Sequence, residues 1–550
     1  MRAPLSALIL VLFSGCALGQ TASKSASIQG TVSKDPGGEP VKKALIELIA
    51  EDQDSGGNYT ALSSADGRFR IESVAPGRYR LFAERTGYLQ AGEHHARSEG
   101  RSLSLAAGDE LDDIVIRMQA AAVVSGRVTD ADGEPLPNAQ VTVLRQSYAS
   151  GHRQWEQVGG ERTNDIGEYR VPGLDAGTYF IAVTPPPDFK ALIDAAGKAT
   201  KARDTAQPGS SYAITYYPNT LDRTQAAPVQ LHPGDQFPAD FALVPAPSFA
   251  IRGSIGNLPK GASAGLFLQS RQLTLITSGA EVRPDGTFEI RDVAPGSYML
   301  LATVSGGSVP LTATQTVQIT SENIEGLTLT PQPGTSIRGR IQFEGAHGDT
   351  NQLFLLLHSE DDEALGAFSL GDGFSNGARI APDGSFEWNG VPAGHYDLEL
   401  AKENGSTGSW FLKSAYAGGR DINDAGFVAN GGTVFMQAVA SAHAATVRGV
   451  VTRGQLPLAN AVVVAVPEAR LRSRSDRFQK TTTDQHGTFS LTGMPPGEYT
   501  LLAWDAVDAG EYYDPEFLRS YEDRGTVLRL GEGDSKSLQI EAILTADNQQ

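Results

Sequence analysis

Hydrophobic and polar residues alternate in short segments along most of this chain, and turns rich in glycine and proline separate the segments. The segment "AQVTVL" (139–144) is one example, and the segment that places Phe69 and Ile71 on one face is another. Alternation with a period of two is typical of half-buried β-strands, and frequent turns indicate many short strands. The pattern therefore predicts an all-β chain with about seven strands per hundred residues, which is the size of an immunoglobulin-like β-sandwich.

One motif occurs five times, and its two glycines are always ten residues apart. The form is Gly-x-aromatic followed by Gly-x-Tyr, as in "DGRFRIESVAPGRYRL" with Gly67, Phe69, Gly77 and Tyr79. The other first glycines are Gly167, Gly286, Gly384 and Gly487, and their tyrosines are Tyr179, Tyr298, Tyr396 and Tyr499. Self-similarity at constant spacing indicates tandem modules. A tyrosine that opens a strand after a glycine turn is typical of a tyrosine corner, so we expect its hydroxyl to bond to nearby backbone.

A short strand with a central glycine precedes each copy, at Gly30, Gly126, Gly253, Gly339 and Gly449. Together the two motifs predict five β-sandwich modules, at 24–119, 120–246, 247–331, 332–441 and 442–546. Modules 3 and 4 are divergent, because they lack a Pro-to-Ala element that the other three share. Two insertions, 189–202 in module 2 and 514–521 in module 5, have helical character, and Pro515 suits the first turn of the second. Short linkers predict a semi-rigid string of modules.

The formal net charge is −19, with 40% hydrophobic and 20% charged residues, which is typical of a folded protein. An acidic surface repels phosphate backbones, so we expect no binding to nucleic acid and no adhesion to anionic membranes through charge. The densest basic stretch, "RLRSR" at 470–474, is interpreted as a solvated hairpin tip.

Residues 1–19 have the form of a signal peptide, with Arg2 followed by an apolar segment at 5–13 that is too short to span a bilayer. Two endings stay open: cleavage before Gln20, or a lipobox that makes Cys16 the lipidated first residue. Cys16 is the only cysteine, so the mature body has no disulfide. We expect an exported protein in the periplasm, on the outer membrane surface if lipidated, or outside the cell, with membrane contact only through such a lipid anchor.

These motifs resemble the carboxypeptidase regulatory-like domain, a transthyretin-like (prealbumin-like) sandwich related to carbohydrate-binding-like folds. The matching residues are the G-x-V opening strand, "PLPNAQVTV" and the repeated "DGxFxIxxVxPGxYxL" pattern. The resemblance implies an exported bacterial multi-domain protein and specifies its fold. It does not supply a ligand, because this module is an accessory to a catalytic domain in carboxypeptidases and precedes a barrel in some transporters, and neither companion is recognised in this sequence.

The sequence holds no recognisable catalytic or metal-binding pattern. The nine histidines include no H-E-x-x-H, and the adjacent His94 and His95 are expected in a loop. Two G-x-S-x-G strings, around Ser263 and Ser375, lie in turn-rich segments rather than in a strand–turn–helix. The segment around Asp130 suggests a calcium loop but lacks the later acidic ligands, so a hairpin turn is favoured. We therefore expect no catalytic residues, no metal and no cofactor.

Paired aromatic residues in the inserted loops are the candidate ligand-binding residues: Tyr216, Tyr217, Tyr512 and Tyr513, with Trp410 in module 4. Such rings suit sugar stacking or contact with a partner protein. The favoured alternative is that they fix their own loops onto the sandwich. Trp388, which takes the place of an aliphatic residue in the repeat, is expected in the core.

The leading hypothesis is a non-catalytic binding or scaffold protein of the cell envelope, with a carbohydrate or another envelope protein as partner. Two alternatives stay open: a hydrolase whose site is formed by the inserted loops, and a purely structural stalk. The sequence leaves the oligomeric state undetermined.

Overall fold

The computed structural model describes residues 25–51, 57–91, 100–149, 152–185, 210–259, 262–271, 275–305, 311–345, 350, 352–359, 376–402, 407–508 and 510–545. In this part of the chain the structure is a tandem array of β-sandwiches, each with two sheets packed around its own hydrophobic core. This confirms the all-β prediction. Within the described residues, no helix is both long and apolar enough to cross a membrane.

Module 1 has one sheet of order β4-β1-β8-β6 and a second of order β3-β2-β5-β7. Its strands are β1 (Ala26–Lys34), β2 (Leu45–Ala50), β3 (Tyr59–Leu62), β4 (Arg68–Val74), β5 (Gly77–Glu84), β6 (Tyr88–Gln90), β7 (Arg101–Leu105) and β8 (Glu110–Ala120).

Module 2 has a sheet of order β12-β9-β17, in which β18 also pairs with β9, and a sheet of order β11-β10-β13-β15, in which β16 also pairs with β13. A small ribbon joins β14 and β19. The strands are β9 (Ala122–Asp130), β10 (Gln140–Ala149), β11 (His152–Arg162), β12 (Glu168–Leu174), β13 (Gly177–Thr184), β14 (Ser210–Tyr212), β15 (Thr215–Tyr216), β16 (Val229–Leu231), β17 (Gln236–Pro238), β18 (Phe241–Leu243) and β19 (Pro245–Pro247), with a 3₁₀ helix at Arg223–Gln225.

Module 3 has sheets of order β23-β20-β26 and β22-β21-β24-β25-β27. Its strands are β20 (Phe249–Ile255), β21 (Ser263–Ser270), β22 (Leu275–Glu281), β23 (Thr287–Val293), β24 (Gly296–Ser305), β25 (Leu311–Ile319), β26 (Ile324–Leu329) and β27 (Gln332–Pro333). The last of these pairs with β25 although the repeat places residue 332 at the start of module 4.

Module 4 has sheets of order β31-β28-β36-β33-β34 and β30-β29-β32-β35. Its strands are β28 (Thr335–Glu344), β29 (Leu353–Ser359), β30 (Gly377–Arg379), β31 (Ser385–Val391), β32 (Gly394–Lys402), β33 (Phe411–Ala417), β34 (Arg420–Asp421), β35 (Phe427–Ala429) and β36 (Thr433–Ser441). Trp388 is buried in its core, as predicted.

Module 5 has a sheet in which β37 pairs with β38, β41 and β44, and a sheet of order β40-β39-β42-β43. The strands are β37 (Ala445–Arg453), β38 (Leu456–Pro457), β39 (Val462–Pro467), β40 (Gln479–Thr482), β41 (Thr488–Met494), β42 (Gly497–Trp504), β43 (Thr526–Leu530) and β44 (Ser535–Glu541). Helix α1 (Pro515–Arg519) and four 3₁₀ helices accompany them, at Ala469–Leu471, Ser475–Arg477, Glu511–Tyr513 and Glu522–Arg524.

The predicted helix of module 5 is confirmed, since α1 begins at Pro515 and the side chain of Asp514 caps it by accepting from the Glu516 amide. The predicted helix at 189–202 lies outside the described residues.

Every module places its first strand between the same two neighbours. The strand that follows the first glycine of the motif pairs antiparallel with this first strand, as β4 does with β1. The closing strand lies on its other side and runs parallel to it, as β8 does with β1. Parallel neighbours need a long crossover, and here nearly the whole module forms it.

The central glycine of the first strand faces the motif aromatic residue across the antiparallel pair in all five modules. A Cβ at Gly30 would overlap the carbonyl oxygen of Ile114 on the closing strand, and the corresponding glycines meet the same obstruction. Only glycine fits there, and in modules 3, 4 and 5 the aromatic ring also lies within about 3 Å of the position that a Cβ would take.

The tyrosine of the motif forms the predicted corner in every module, since its hydroxyl donates to the carbonyl oxygen four residues earlier. The five bonds are Tyr79 to Ala75 (2.7 Å), Tyr179 to Asp175 (3.1 Å), Tyr298 to Ala294 (2.9 Å), Tyr396 to Pro392 (3.1 Å) and Tyr499 to Pro495 (3.0 Å). Burial raises the pKa of Tyr79, Tyr179, Tyr298 and Tyr499 to about 12.

Candidate functional site

The aromatic residues predicted from the inserted loop of module 2 pack against other rings of the same module. Tyr216 is fully buried and its ring lies edge-on to Trp155, with 6.1 Å between the ring centroids. Tyr217 packs edge-on against Phe237 and Phe241, at 5.5 and 6.2 Å. Both rings therefore fix the loop onto the module, which is the alternative favoured from the sequence.

The aromatic residues predicted in modules 4 and 5 are in the same situation. Trp410 is buried, with its ring 5.2 Å from that of Phe343. Tyr512 is buried, and the ring of Tyr513 lies 4.7 Å from it and 4.9 Å from Phe478. The five candidates are thus spread over three modules.

The remaining candidates are placed as follows. Ser263 opens β21, which pairs antiparallel with β22 and β24, so it does not lie at a strand-to-helix turn. Asp130 closes a hairpin turn in which its carboxylate accepts from the amides of Asp132 and Glu134, as predicted.

Cys16, His94, His95 and Ser375 lie outside the described residues. Within the described ranges, no group of three or more His, Cys, Asp or Glu side chains is arranged to hold a metal ion.

The basic stretch at 470–474 is not a solvated hairpin tip, and this prediction was wrong. Arg474 is only 5% exposed, because it inserts between modules 4 and 5. Its guanidinium donates to the carbonyl oxygens of Asn423 (2.7 Å) and Leu398 (3.3 Å) in module 4, and it pairs with Asp476 at 2.8 Å. A planar fork with five donors can satisfy several acceptors at once, so a buried arginine is suited to joining two modules.

The charges at this joint are balanced. Burial alone would lower the pKa of Arg474, but the hydrogen bond with Asp476 and the charges of Asp397 and Asp424 hold it above its usual value. Arg477, also buried, donates to Asn423 O as well. The cation therefore stays protonated in the interface.

A cavity of about 280 Å³ lies beside this joint and has charged walls. Arg470 pairs there with Asp424 at 2.6 Å and with Glu468 at 2.7 Å. Lys413 pairs with Glu344 and Glu532, at 2.7 and 3.0 Å. Because these lining charges pair with one another, they stabilise the contact between modules rather than leave a charge for a ligand.

Module 5 also contacts module 1, which is far away in the sequence. The guanidinium of Arg80 donates to the hydroxyl of Thr482 at 2.6 Å. The side-chain amide of Gln485 accepts from the backbone N–H of Ser104 at 3.1 Å and donates to its carbonyl oxygen at 2.7 Å. The Gln485 side chain thus pairs with the backbone N–H and carbonyl oxygen of Ser104 on strand β7, as a neighbouring strand would.

A third contact joins module 5 to module 2. Strands β10 and β11 form a hairpin of ten and eleven residues, whereas the corresponding β2 and β3 of module 1 have six and four. Arg153, on this hairpin, donates to Asp514 Oδ2 through Nη2 (2.9 Å) and Nε (3.1 Å) and to Glu516 Oε2 (2.9 Å).

The sequence pattern does not predict these contacts. The chain is not an open string, because module 5 lies against modules 1, 2 and 4. The unusual length of the alternating segment around "RQWEQV" was the one available signal for the module 2 contact.

A search of the curated proteins found no match. Among solved structures the chain is similar to the Bacillus anthracis TIE protein at 14% identity, over 56% of this chain and 51% of that one, with a TM-score of 0.16. It therefore spans about half the length of that protein.

Two pilins give comparable values. The Streptococcal ancillary pilin matches at 13% identity over 56% of this chain and 100% of its own, with a TM-score of 0.18. The shaft pilin spaA from Lactobacillus rhamnosus GG matches at 12% identity over 41% of this chain and 98% of its own, with a TM-score of 0.20. Scores this low do not establish a shared overall arrangement.

The model of the carboxypeptidase regulatory-like domain matches residues 27–118 and 123–244. The predicted resemblance is therefore confirmed on the two regions that contain modules 1 and 2, and modules 3 to 5 repeat the same strand glycine, aromatic residue and tyrosine corner. The chain is accordingly a tandem β-sandwich protein whose residues 27–118 and 123–244 are similar to the carboxypeptidase regulatory-like domain.

Proposed function

We propose that this protein is a non-catalytic scaffold of the cell envelope, exported from the cell, that holds binding surfaces at fixed positions relative to one another. One observation carries the proposal: the residues that define the repeat are all used within the fold. The strand glycine, its aromatic partner and the corner tyrosine each fill space or make a backbone hydrogen bond. The feature that the five modules share is therefore architectural.

The contacts of module 5 support a fixed arrangement. A buried arginine joins it to module 4, a side-chain amide joins it to the edge of module 1, and an arginine fork joins it to module 2. Buried and multidentate polar contacts restrict relative movement more than a covalent linker does. We propose a carbohydrate or an envelope protein as the partner of this scaffold.

The proposal is tested by small-angle X-ray scattering of residues 24–550 at several salt concentrations. A rigid particle gives one profile and a bell-shaped Kratky plot. A plot that rises steadily at high angle, as for independently moving modules, would count against the scaffold. A parallel assay with generic ester, peptide and glycoside substrates addresses catalysis, because reproducible turnover would contradict a non-catalytic function.

A further inference from the structure

One sheet of module 4 presents an aromatic ring to solvent at its centre. Phe435 lies on β36, the middle strand of the order β31-β28-β36-β33-β34, and is 69% exposed. Tyr416, on the neighbouring strand β33, is 42% exposed. Large aromatic residues bury well in sandwich cores, so an exposed phenylalanine in mid-sheet requires an explanation other than folding.

The fold of the module does not require this phenylalanine. The residue that follows Phe435 points its carbonyl oxygen at the strand glycine Gly339. The corresponding residues of the other modules are small or polar, or proline: Asp113, Pro238, Gly326 and Ser537. The aromatic ring is therefore particular to module 4.

The neighbours of Phe435 form one continuous surface. Phe435 is in register with Arg338 on β28, which is in register with Glu387 on β31. On the other side Tyr416 is in register with Gln437, two positions along β36 from Phe435. Alternate residues of a strand share a face, so these side chains all lie on the outer side of the sheet. We call this surface, with residues Glu387, Arg338, Phe435, Gln437 and Tyr416, the module 4 face.

Four charged residues on the module 4 face and at its border form two ion pairs. Arg338 Nε lies 3.1 Å from Glu387 Oε1, and Arg340 Nη2 lies 3.1 Å from Asp383 Oδ2. Asp421, in register with Tyr416 on the edge strand β34, adds one further carboxylate, so the surface carries a single excess negative charge in a protein whose net charge is −19. A surface with so little net charge does not attract a polyanion and attracts a polycation only weakly, and it complements an uncharged ligand that has both an apolar face and many hydroxyl groups.

We propose that the module 4 face binds a neutral polysaccharide. The C–H face of a pyranose ring stacks on Phe435 and Tyr416, while the hydroxyl groups of the sugar exchange hydrogen bonds with Arg338, Gln437 and Glu387. This inference rests on the carbohydrate option of the proposed function and names its site, which differs from the buried tyrosines considered in the sequence.

The test is affinity electrophoresis of residues 24–550 in native gels that contain a soluble neutral polysaccharide (a β-glucan, a xylan or a galactomannan) or an anionic one (an alginate). The variants are Phe435→Ala and Phe435→Ala/Tyr416→Ala. The matched control is Val527→Ala, which removes an apolar side chain that is 77% exposed on β43 of module 5. Circular dichroism verifies that each variant is folded.

We expect at least one neutral polysaccharide to retard the native protein and the Val527→Ala variant equally. Loss of one ring is expected to weaken binding about tenfold, and loss of both to abolish retardation. Retardation that survives in the folded double variant would overturn the site while leaving carbohydrate binding in place. The inference would be overturned if no neutral polysaccharide retarded the native protein, or if only the alginate did. The scattering experiment tests the scaffold separately.

Discussion

Gly449 and Phe489 face each other across neighbouring antiparallel strands of module 5, and a Cβ at position 449 would lie 2.7 Å from Cε1 of the Phe489 ring. The ring therefore rests where any larger residue at position 449 would project. The same pair occurs in each of the other modules, with tyrosine as the aromatic residue in module 2.

Replacement of Gly449 by alanine is expected to destabilise module 5 by about 2–3 kcal/mol, because the methyl group overlaps both the ring and the carbonyl oxygen of Leu538. Hydrogen exchange of module 5 peptides measures the effect locally, which is preferable because a five-module protein does not unfold in one two-state transition. Gly454→Ala is the control, since its Cβ meets nothing and only its positive φ of 63° costs about 1 kcal/mol. Equal losses of protection in the two variants would refute the overlap argument.

The corner tyrosines predict a loss of stability at alkaline pH. Burial raises the pKa of Tyr79, Tyr179, Tyr298 and Tyr499 to about 12, against an unfolded value of 10.0. The protonated hydroxyl is the form that the fold favours, so this contribution is complete below pH 10 and is lost as pH rises towards 12.

Thermal unfolding followed at a series of pH values, together with the absorbance of tyrosinate, checks the alkaline prediction. The tyrosinate of the buried corner residues should appear only with the unfolding transition at high pH. If all tyrosines titrated near pH 10 in the folded protein, the corner hydroxyls would not be buried as described.

The corner hydrogen bond can be removed without changing the ring. Tyr499→Phe deletes the donor to Pro495 O and is expected to cost about 1 kcal/mol, seen as faster hydrogen exchange in module 5. The control is Tyr416→Phe, whose hydroxyl is on the exposed side of module 4 and should leave exchange unchanged. No difference between the two variants would show that the corner bond contributes nothing to stability.

Arg474 is expected to be the main polar anchor between modules 4 and 5. Arg474→Ala removes the donor to Leu398 O, one of the two donors to Asn423 O and a cation beside Asp476 and Asp397, at a cost of about 3 kcal/mol to the interface. Peptides that contain 397–398 and 423–424 should then exchange faster. Arg420→Ala, at an exposed position of β34, is the matched control and should have no such effect. Unchanged exchange in the Arg474 variant would mean that the modules are joined by other contacts.

The contact between modules 2 and 5 should weaken in acid. Burial alone would raise the pKa of Asp514, but the Glu516 amide and the Arg153 guanidinium hold it below its ordinary value of 3.8. A lowered pKa means that the stabilising contribution is present above pH 3.8 and is lost as pH falls through the folded-state pKa.

Spin labels on cysteines introduced into the β10–β11 hairpin and into module 5 would measure this separation against pH. The distance should be single at neutral pH and broaden in acid, and Arg153→Ala should broaden it at both pH values. Arg529→Ala, whose side chain is 85% exposed and pairs with Glu498, provides a control for loss of a surface cation. A distance that is insensitive to both acid and Arg153→Ala would contradict the role of this contact.

The elements that could be predicted from the sequence are the ones that depend on neighbours close in the chain. The alternation of residues, the turn before Phe69 and the tyrosine four residues after Ala75 involve short separations, so a repeated motif reports them directly. The same is true of helix α1, whose cap and first-turn proline are adjacent.

The contacts between modules could not be predicted, because their residues have no distinguishing local pattern. Arg474 lies in a basic stretch that resembles an exposed turn, and only the carbonyl oxygens of module 4 make it a buried residue. Tyr216 and Tyr512 were candidates because paired aromatic residues in loops suit a binding site, yet tertiary packing turned both rings inward. Conversely, Phe435 lies in an ordinary alternating strand, and its exposure depends on which side of the sheet the module leaves uncovered.

The hydrogen bond between Arg80 and Thr482 joins residues that are 402 positions apart. Ribosomes make the N-terminal residue first, so modules 1 and 2 emerge long before the surface that will cover their outer edges exists. These edges therefore stay uncovered during synthesis until the last hundred residues have been made. A chain that is cut short before module 5 would retain complete sandwiches but would lack the contacts that fix the modules relative to one another.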